Sequence, residues 1–403
     1  MKYVQVLSKK FAASTKKPYL CPKQTHTKTL HHMNHFRLLL LLAITVGTAA
    51  KATGRWEDEA TGRLENEDGN PPIAIMVKAG DADDFLWALE TANQSNSSDT
   101  LAERIYILLP NGVYDLGERV LTTITGHNIA IVGESTEGTI IRNAPKPENE
   151  GISKTGTLLN RASNLYLQDL TLQNALDYYN SGFAGRAVTL HDKGRQTICK
   201  RVRLLSYQDT YYSDSEDASH YFEDCEIHGT VDFICGAGDV FFNRCLIVTE
   251  PRSADGKGRD VIAAPRTSLT QWGYVFYDCT IKNVDSNFQY GRGWHTKPRM
   301  ALLNTTLLTP ERLEAPRFDS RGMRTVESLF YEYHTMDAEG RDITPPSNIV
   351  TFTLNDQSRQ HETILTPKQA RQFRLKNVFP RWRPDKITRR LEKQCRQLWD
   401  GNR

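Results

Sequence analysis

Six segments of the chain repeat one pattern of apolar and polar positions. In each, a small or apolar residue at the fifth position is followed two positions later by Leu or Ile. The six segments are Tyr166 to Leu172, Ile198 to Leu204, Tyr221 to Ile227, Phe241 to Ile247, Val275 to Ile281 and Ala301 to Leu307. Their fifth positions lie 20 to 34 residues apart, which is typical of a solenoid with one short strand per coil. The pattern favours an all-β fold, a right-handed parallel β-helix.

An antiparallel β-sandwich is the competing interpretation. It predicts Asn-Gly or Asp-Gly hairpin turns at steady short intervals. Among such pairs, Asp68-Gly69, Asn111-Gly112 and Asp255-Gly256 do not join two successive segments of the repeat. The β-helix is therefore preferred, and the outer faces of its coils are expected to form a long groove that suits a polymer.

Three fifth positions of the repeat are cysteines, Cys225, Cys245 and Cys279. Alternating residues of a strand point to the same face, so these thiols are expected to stack as small buried hydrophobes. Free thiols are favoured over disulfides, because in-register neighbours on parallel strands are poorly oriented for bonding. No pair of CxxC motifs at zinc spacing occurs, so we expect no metal site.

Helical spacing appears outside the repeat. Residues Asp81 to Asn93 are predicted as a short helix that closes one end of the β-structure, with Asp81 or Asp83 as its cap. Near the C-terminus, Thr366 caps a predicted helix with Pro367 at its first position. Residues Asp385 to Trp399 are predicted as a second, basic helix. None of these helices carries recognisable chemistry.

The beginning of the chain has the pattern of an export signal. Arg37 precedes an apolar core at residues 38–46, and small residues follow up to Ala52. The apolar run is too short to span a membrane, and a buried core helix is the alternative. We interpret residues 1–52 as a leader with a signal peptide and the polar residues 53–72 as a linker. This predicts a protein exported to the periplasm or secreted.

Charge is distributed unevenly along the chain, which has 51 basic and 48 acidic residues in total. Residues 1–52 carry nine basic and no acidic residues, and residues 359–403 carry thirteen basic and four acidic residues. Residues 53–358 therefore hold 29 basic against 44 acidic residues, which argues against a nucleic-acid reader. We expect residues 73–358 to form the β-helix and the protein to be a monomer. The basic extension, residues 359–403, is expected either to pack on this body or to anchor it to acidic polysaccharide or an anionic surface.

Two acidic residues flanked by uncharged neighbours stand out between Tyr207 and Gly236. Asp209 lies in the sequence YQDTYY, and Asp232 lies in GTVDFICG. Two neighbouring carboxylates resist double ionisation, so one pKa rises, while a guanidinium beside the other lowers its pKa. Such a pair can supply an acid and a nucleophile at mild pH. The alternative for each residue alone is a turn cap or a bond to backbone amides at a coil corner.

In order and spacing, these motifs resemble those of the pectin methylesterases, and the resemblance covers most of residues 73–335. IYILLPNGVYDLGERV and NIAIVGESTEGTIIRN are similar to the family's early coils, and GRAVTL to its motif before the first catalytic strand. YQDTYY and GTVDFICG resemble its two aspartate motifs, and YGRGW its arginine-tryptophan motif. The resemblance implies an exported enzyme that binds pectin and hydrolyses methyl esters of its galacturonate units. It releases methanol and uses no metal or organic cofactor.

The resemblance also implies roles for single residues. Asp232 corresponds to the nucleophile, and Asp209 to the general acid that later acts as a base. Gln208 corresponds to a donor to the oxyanion. Arg292 corresponds to the residue that holds Asp232 ionised and oriented, with a surface ion pair as the alternative.

Aromatic residues near these motifs are expected to contact the sugar chain. The resemblance gives Trp294 a place against a sugar ring, with a packing role as the alternative. Tyr207, Tyr211 and Phe233 are expected to line the groove, and core packing is equally compatible with their positions.

Two positions depart from the family pattern. Arg186 stands where the family usually has a glutamine that donates to the oxyanion, and Gly293 stands where proline is common. Arg186 either donates to the oxyanion, pairs with an aspartate or binds substrate carboxylates. If it is an oxyanion donor, Arg186→Gln is expected to preserve much of the activity.

Two other functions remain open at this point. A β-helix polygalacturonate hydrolase or lyase is one, since glycoside hydrolases also use paired carboxylates. A non-catalytic polysaccharide-binding solenoid is the other. Methanol release with unchanged chain length distinguishes the esterase from all of these.

Overall fold

The computed structural model describes residues 73–98, 100–182, 184–255, 258–268 and 271–401. The predicted leader, residues 1–52, and the predicted linker, residues 53–72, lie outside the described residues. Among the helices of the described part, none is both long and apolar enough to cross a membrane.

Short strands make up most of the described chain. In order they are β1 (Ile73–Met76), β2 (Ile105–Leu109), β3 (Gly112–Asp115), β4 (Thr122–Ile124), β5 (Ile129–Gly133), β6 (Thr139–Asn143), β7 (Leu158–Asn160), β8 (Tyr166–Asn174), β9 (Leu190–Asp192), β10 (Ile198–Leu205), β11 (Tyr211–Ser213), β12 (Ser219–Glu223), β13 (Glu226–Gly229), β14 (Val231–Gly236), β15 (Asp239–Asn243), β16 (Leu246–Thr249), β17 (Arg259–Pro265), β18 (Tyr274–Tyr277), β19 (Thr280–Asn283), β20 (Asn287–Gly291), β21 (Arg299–Leu303), β22 (Thr306–Leu307), β23 (Leu329–Tyr333), β24 (Ile349–Leu354) and β25 (Gln357–Glu362). The α-helices are α1 (Ala82–Ser95), α2 (Pro367–Ala370), α3 (Leu375–Val378) and α4 (Pro384–Gly401). Single turns of 3₁₀-helix lie at Pro147–Asn149, Pro310–Arg312 and Arg371–Phe373.

Two large sheets build the body. Sheet A follows the order β1-β2-β5-β8-β10-β12-β15-β18-β21-β23, with β3, β6, β13, β16, β19 and β22 paired beside this path. Sheet B follows the order β20-β17-β14-β11-β9-β7-β4. The strand pairs within both sheets are parallel, whereas β24 and β25 form a separate antiparallel hairpin. The predicted parallel β-helix is confirmed.

The predicted repeat sets the register between coils. Ile198 pairs with both Tyr166 and Tyr221, Tyr221 with Phe241, and Phe241 with Val275, so the first positions of successive segments are aligned. The fifth-position thiols of the repeat are buried and free, as predicted. The interior also stacks aromatic rings, and Phe242 lies 5.0 Å from Phe222 and 4.7 Å from Phe276 between ring centroids.

The prediction of one strand per coil was wrong, because a single coil contributes up to three strands, such as β12, β13 and β14. The break between the first two falls at the fourth position of the repeat, where the backbone is left-handed. The residues with positive φ there are Asp169, Arg201, Asp224, Arg244, Asp278 and Asn304. Asp and Asn tolerate this conformation better than most residues, so four of the six positions suit the turn.

The predicted helix near the start is α1, and Asp81 caps it by accepting a hydrogen bond from the backbone nitrogen of Asp84 at 2.9 Å. Its apolar side, which includes Phe85 and Leu89, is buried in the interior cluster together with residues of β2 and β3. Burial of this side gives a short helix the stability that its own propensity does not supply.

The C-terminal extension packs on the outside of sheet A. Residues at the first position of the repeat, such as Tyr166 and Phe241, form a buried cluster with Phe379, Leu391 and Leu398 of the extension. This favours the body-packing interpretation of the basic tail. The predicted boundary at residues 358–359 falls inside β25. The hairpin of β24 and β25 ends at Glu362, and the first helix of the extension, α2, begins at Pro367.

Candidate active site

Five predicted site residues lie on or beside neighbouring strands of sheet B, in coils that are separate in sequence. They are Arg186 before β9, Gln208 and Asp209 before β11, Asp232 in β14 and Arg292 after β20. Arg186 pairs with Gln208 in a parallel β-bridge just before β9 and β11. The backbone nitrogen of Asp209 donates to the carbonyl of Val231, at 3.3 Å, which places Asp209 beside β14 and Asp232. The coils therefore stack the motifs that the sequence separates.

Both aspartates occupy strained and nearly buried positions. Asp209 has φ of 60° and Asp232 has φ of 53°, in the left-handed region that costs a non-glycine residue roughly 1–2 kcal/mol. Only 5% of Asp209 and 6% of Asp232 is exposed to solvent. The same left-handed φ occurs at coil turns such as Asp169 and Asp224, so it reflects how the coils turn, and Asp tolerates it better than most residues.

Arg292 grips the carboxylate of Asp232 with two parallel hydrogen bonds. Its Nε lies 2.8 Å from Oδ1, and its Nη2 lies 2.5 Å from Oδ2. The arginine follows β20 directly and reaches across β17 to β14. This bidentate geometry fixes the carboxylate plane and favours its ionised form.

The two carboxyl groups experience different surroundings. Burial raises the pKa of Asp209 well above its usual range, and the charge of Asp232 raises it further. Burial also raises the pKa of Asp232, but the hydrogen bonds and charge of Arg292 act in the opposite direction. Protonation therefore falls preferentially on Asp209, while Asp232 is the better anion.

One of the three alternatives for Arg186 was a pair with an aspartate, and the structure shows a different partner. The guanidinium of Arg186 binds Glu150, with Nε 2.8 Å from Oε2 and Nη2 2.6 Å from Oε1. Glu150 follows the 3₁₀ turn at Pro147–Asn149, and it lies in none of the motifs from which site residues were predicted. The two residues are 36 positions apart and meet only because their coils are neighbours.

Gln208 and Tyr207 lie at the same edge as Asp209. The carbonyl of Gln208 accepts from the backbone nitrogen of Ala187 at 2.9 Å, and its side chain is partly exposed. Tyr207 stacks on Tyr178, with ring centroids 4.7 Å apart and planes 6° from parallel. The neighbouring Tyr179 meets Tyr207 edge-on at 5.1 Å. Tyr178 and Tyr179 were not among the predicted site residues, although two adjacent tyrosines in the sequence could have indicated an aromatic surface.

The expectation that Phe233 lines the groove was wrong. Its side chain is fully buried in the interior cluster, because residue 233 alternates with Asp232 across the strand and faces inward. Tyr211 is likewise fully buried. Core packing, the alternative stated for both, describes them.

Trp294 is partly exposed and borders a cavity of about 250 Å³. Its ring centroid lies 6.1 Å from that of Tyr212, and the guanidinium of Arg266 lies 5.5 Å from the indole. His295 and Arg324 complete the cavity lining. An aromatic face beside cationic groups suits an acidic sugar. Arg266 and Arg324 were not among the predicted site residues, because neither lies in a motif.

Comparison with known proteins agrees with this geometry. A family model described as Pectinesterase matches residues 76–348, more than half of the chain. The chain belongs to the pectinesterase family.

Relatives of this chain occur in plants and bacteria. It is 28% identical over 248 residues to probable pectinesterase 49 of Arabidopsis thaliana, covering 60% of this chain and 65% of the relative. It is 34% identical over 217 residues to pectinesterase A of Dickeya chrysanthemi, covering 47% of this chain and 57% of the relative. The chain thus spans less than two thirds of the length of these relatives.

Solved structures share the fold of this chain. A pectin methylesterase crystallised in complex with a hexasaccharide has a TM-score of 0.57 at 24% identity, covering 81% of this chain and 99% of that one. Pectin methylesterase PemA from Erwinia chrysanthemi has a TM-score of 0.57 at 25% identity, covering 73% of this chain and 93% of that one.

Proposed function

We propose that this pectinesterase hydrolyses the methyl esters of galacturonate units in pectin, releasing methanol and leaving a carboxylate on the polymer. The observation that carries the proposal is the pair of nearly buried aspartates, one of which is held by an arginine fork. An ester hydrolase that works through a carboxylate needs one ionised and one protonated acid side by side. The family membership agrees with this chemistry.

In the first half of the proposed reaction, a carboxylate oxygen of Asp232 attacks the ester carbonyl carbon. The fork from Arg292 leaves the nucleophile oriented and ionised. The C–O bond to the methoxy group breaks, and Asp209 gives its proton to the departing methanol. Gln208 donates to the oxyanion that develops on the carbonyl oxygen.

In the second half, water hydrolyses the acyl intermediate on Asp232. Asp209, now ionised, takes a proton from the water as the hydroxyl oxygen bonds to the acyl carbon. The bond to Asp232 breaks, so both aspartates return to their starting states. The raised pKa of Asp209 supports this exchange, because the group holds a proton at mild pH and recovers it in each turnover.

We further propose that pectin lies along the edge that carries these residues. Tyr207, stacked on Tyr178, and Trp294 beside Tyr212 offer aromatic faces for sugar rings. Export to the periplasm or the cell exterior, where such a polymer is found, follows from the apolar segment at residues 38–46 and remains part of the proposal.

The test measures methanol release and viscosity together on pectins of different methylation. The proposal expects methanol without a fall in viscosity. A fall in viscosity, or new reducing or unsaturated ends, would identify a chain-cleaving hydrolase or lyase instead. Binding of pectin without any product would indicate a non-catalytic solenoid.

A further inference from the structure

A charged pair beside the two aspartates has no part in the mechanism so far. We infer that Glu150 is a positioning residue, which holds Arg186 as one charge-neutral unit next to Asp209. This inference rests on the proposed function, because it takes Asp209 as the general acid. It predicts that the two residues act together, and that removing both is less harmful than removing Arg186 alone.

The pair is built into the backbone as well as the side chains. Besides the two-bond fork, the backbone nitrogen of Arg186 donates to Oε2 of Glu150 at 3.0 Å. In the opposite direction, the backbone nitrogen of Gly151 donates to the carbonyl of Arg186 at 3.3 Å, and Oγ1 of Thr155 donates to the same carbonyl at 3.2 Å. The segment after the 3₁₀ turn is therefore docked on the strand edge, and Glu150 is carried with it.

Glu150 and Arg186 differ in burial, and the difference determines which of them is destabilised more by the loss of the other. The side chain of Glu150 is 9% exposed, whereas that of Arg186 is 42% exposed. Loss of the Arg186 guanidinium leaves a nearly buried carboxylate with only the backbone nitrogen of residue 186 as donor, and a buried charge without a counter-charge is costly. Loss of Glu150 leaves a guanidinium that water can still solvate.

The two charges act on Asp209 in opposite directions. After burial and the charge of Asp232, which both raise the pKa of Asp209, Arg186 lowers it and Glu150 raises it. Arg186 has the larger influence of the two, so Glu150 offsets part of its effect on the acid. The fork occupies the Nε and Nη2 edge of the guanidinium, so Nη1 lies outside it and is the edge suited to a substrate oxygen.

The experiment compares R186Q, E150Q and the double variant R186Q/E150Q with the wild-type chain. The readouts are kcat across pH on methylated pectin and the melting temperature. Because the general acid must be protonated, the alkaline limb of the kcat profile follows the pKa of Asp209. R186Q is expected to move this limb to higher pH and E150Q to lower pH, with the double variant between them. The double variant is also expected to exceed R186Q in kcat by on the order of tenfold, and to melt higher than R186Q.

Arg201 provides the matched control. It makes the same fork to Asp169, at 2.6 and 2.8 Å, between two coils of sheet A beside α4. Arg201→Gln is expected to lower the melting temperature and leave the kcat profile in place. A comparable limb shift in this control would overturn the assignment, since it would mean that any lost fork perturbs the site.

Two results would overturn the inference. One is a kcat of the double variant that equals the product of the fold-changes of R186Q and E150Q. The other is a shift of the alkaline limb of the kcat profile in the same direction in both single variants. Failure of the proposed function has a different signature, which is absence of methanol release by the wild-type chain. The melting temperatures then still test the pair, because recovery of R186Q stability by E150Q depends only on the buried contact. If R186Q does not fold and the double variant does, the pairing is supported.

Discussion

Two rows of charged side chains run across the coils, and their charges are ordered differently. The outer ladder consists of the fourth positions of the repeat, Asp169, Arg201, Asp224, Arg244, Asp278 and Asn304. Its acidic and basic residues alternate, and Asp224 accepts hydrogen bonds from Arg244 at 2.9 Å and from Lys200 at 2.6 Å. The site row consists of five residues of the candidate active site, Glu150, Arg186, Asp209, Asp232 and Arg292. It places two acidic residues next to each other.

The difference appears in the pKa values of the acids. Burial would raise the pKa of Asp224, but hydrogen bonds from Arg244 and Lys200 bring it below its usual range. At Asp209, burial and a like-charged neighbour both raise the pKa. The same stacking of coils therefore gives a stabilising ladder where opposite charges alternate, and a reactive pair where two acids adjoin.

The largest expected effect comes from removing the proposed nucleophile. Asp232→Ala is expected to lower kcat for methanol release by roughly ten-thousandfold or more, because no other group forms the acyl intermediate. The fold is expected to persist, as judged by circular dichroism. Asp232→Asn is the matched control, since Asn tolerates the positive φ and loses only the nucleophile. Near-normal turnover in either folded variant would sink the assignment.

Removing the like charge gives the next effect. Asp209→Asn is expected to lower kcat by roughly 100- to 10,000-fold through loss of the general acid. Its melting temperature at neutral pH is expected to rise, because the raised pKa means that ionised Asp209 destabilises the folded state. Calorimetry of wild type and variant across pH checks this. A variant that melts lower than wild type at neutral pH would contradict the like-charge strain.

Releasing the arginine fork sharpens the comparison further. Arg292→Gln is expected to lower kcat on the order of 100-fold and to move the acid limb of the profile to higher pH. The sign follows because the guanidinium lowers the pKa of Asp232, and activity requires this group ionised. Measured kcat from pH 4 to pH 8 tests the shift. An unchanged acid limb would show that Arg292 does not set the ionisation of Asp232.

The smallest effect is expected in the outer ladder. Asp224→Asn keeps a residue that tolerates the left-handed turn and removes one alternating charge. It is expected to reduce the free energy of unfolding at neutral pH by about 0.5–1 kcal/mol, since the carboxylate is partly exposed, with kcat unchanged. Because the folded pKa is lowered, the difference is lost as pH falls through that pKa. A loss of activity would mean that the two rows are coupled.

The repeat was sufficient to predict the fold, and the motifs were sufficient to predict that Arg292 lies against Asp232. Interior side chains of a β-helix must pack against those of the coils above and below. The positions of Cys225, Cys245 and Cys279 therefore repeat along the chain and can be identified from short segments of sequence. The motifs around Asp209, Asp232 and Arg292 are equally local, and stacking brings them together as expected. The short cap helix followed from helical spacing and an acidic cap.

Only the tertiary structure decided how residues of different coils pair. Glu150 meets Arg186 because the loops between them have particular lengths, which no local pattern encodes. That contact changes the meaning of Arg186→Gln, which now leaves a buried carboxylate without its partner rather than restoring a neutral site. Likewise, the first positions of the repeat, such as Tyr166 and Phe241, are buried because the C-terminal extension packs on them. The pattern of the repeat does not show this contact. The sequence by itself determines the periodic contacts, because each coil repeats them, while contacts made once depend on where the whole chain carries each loop.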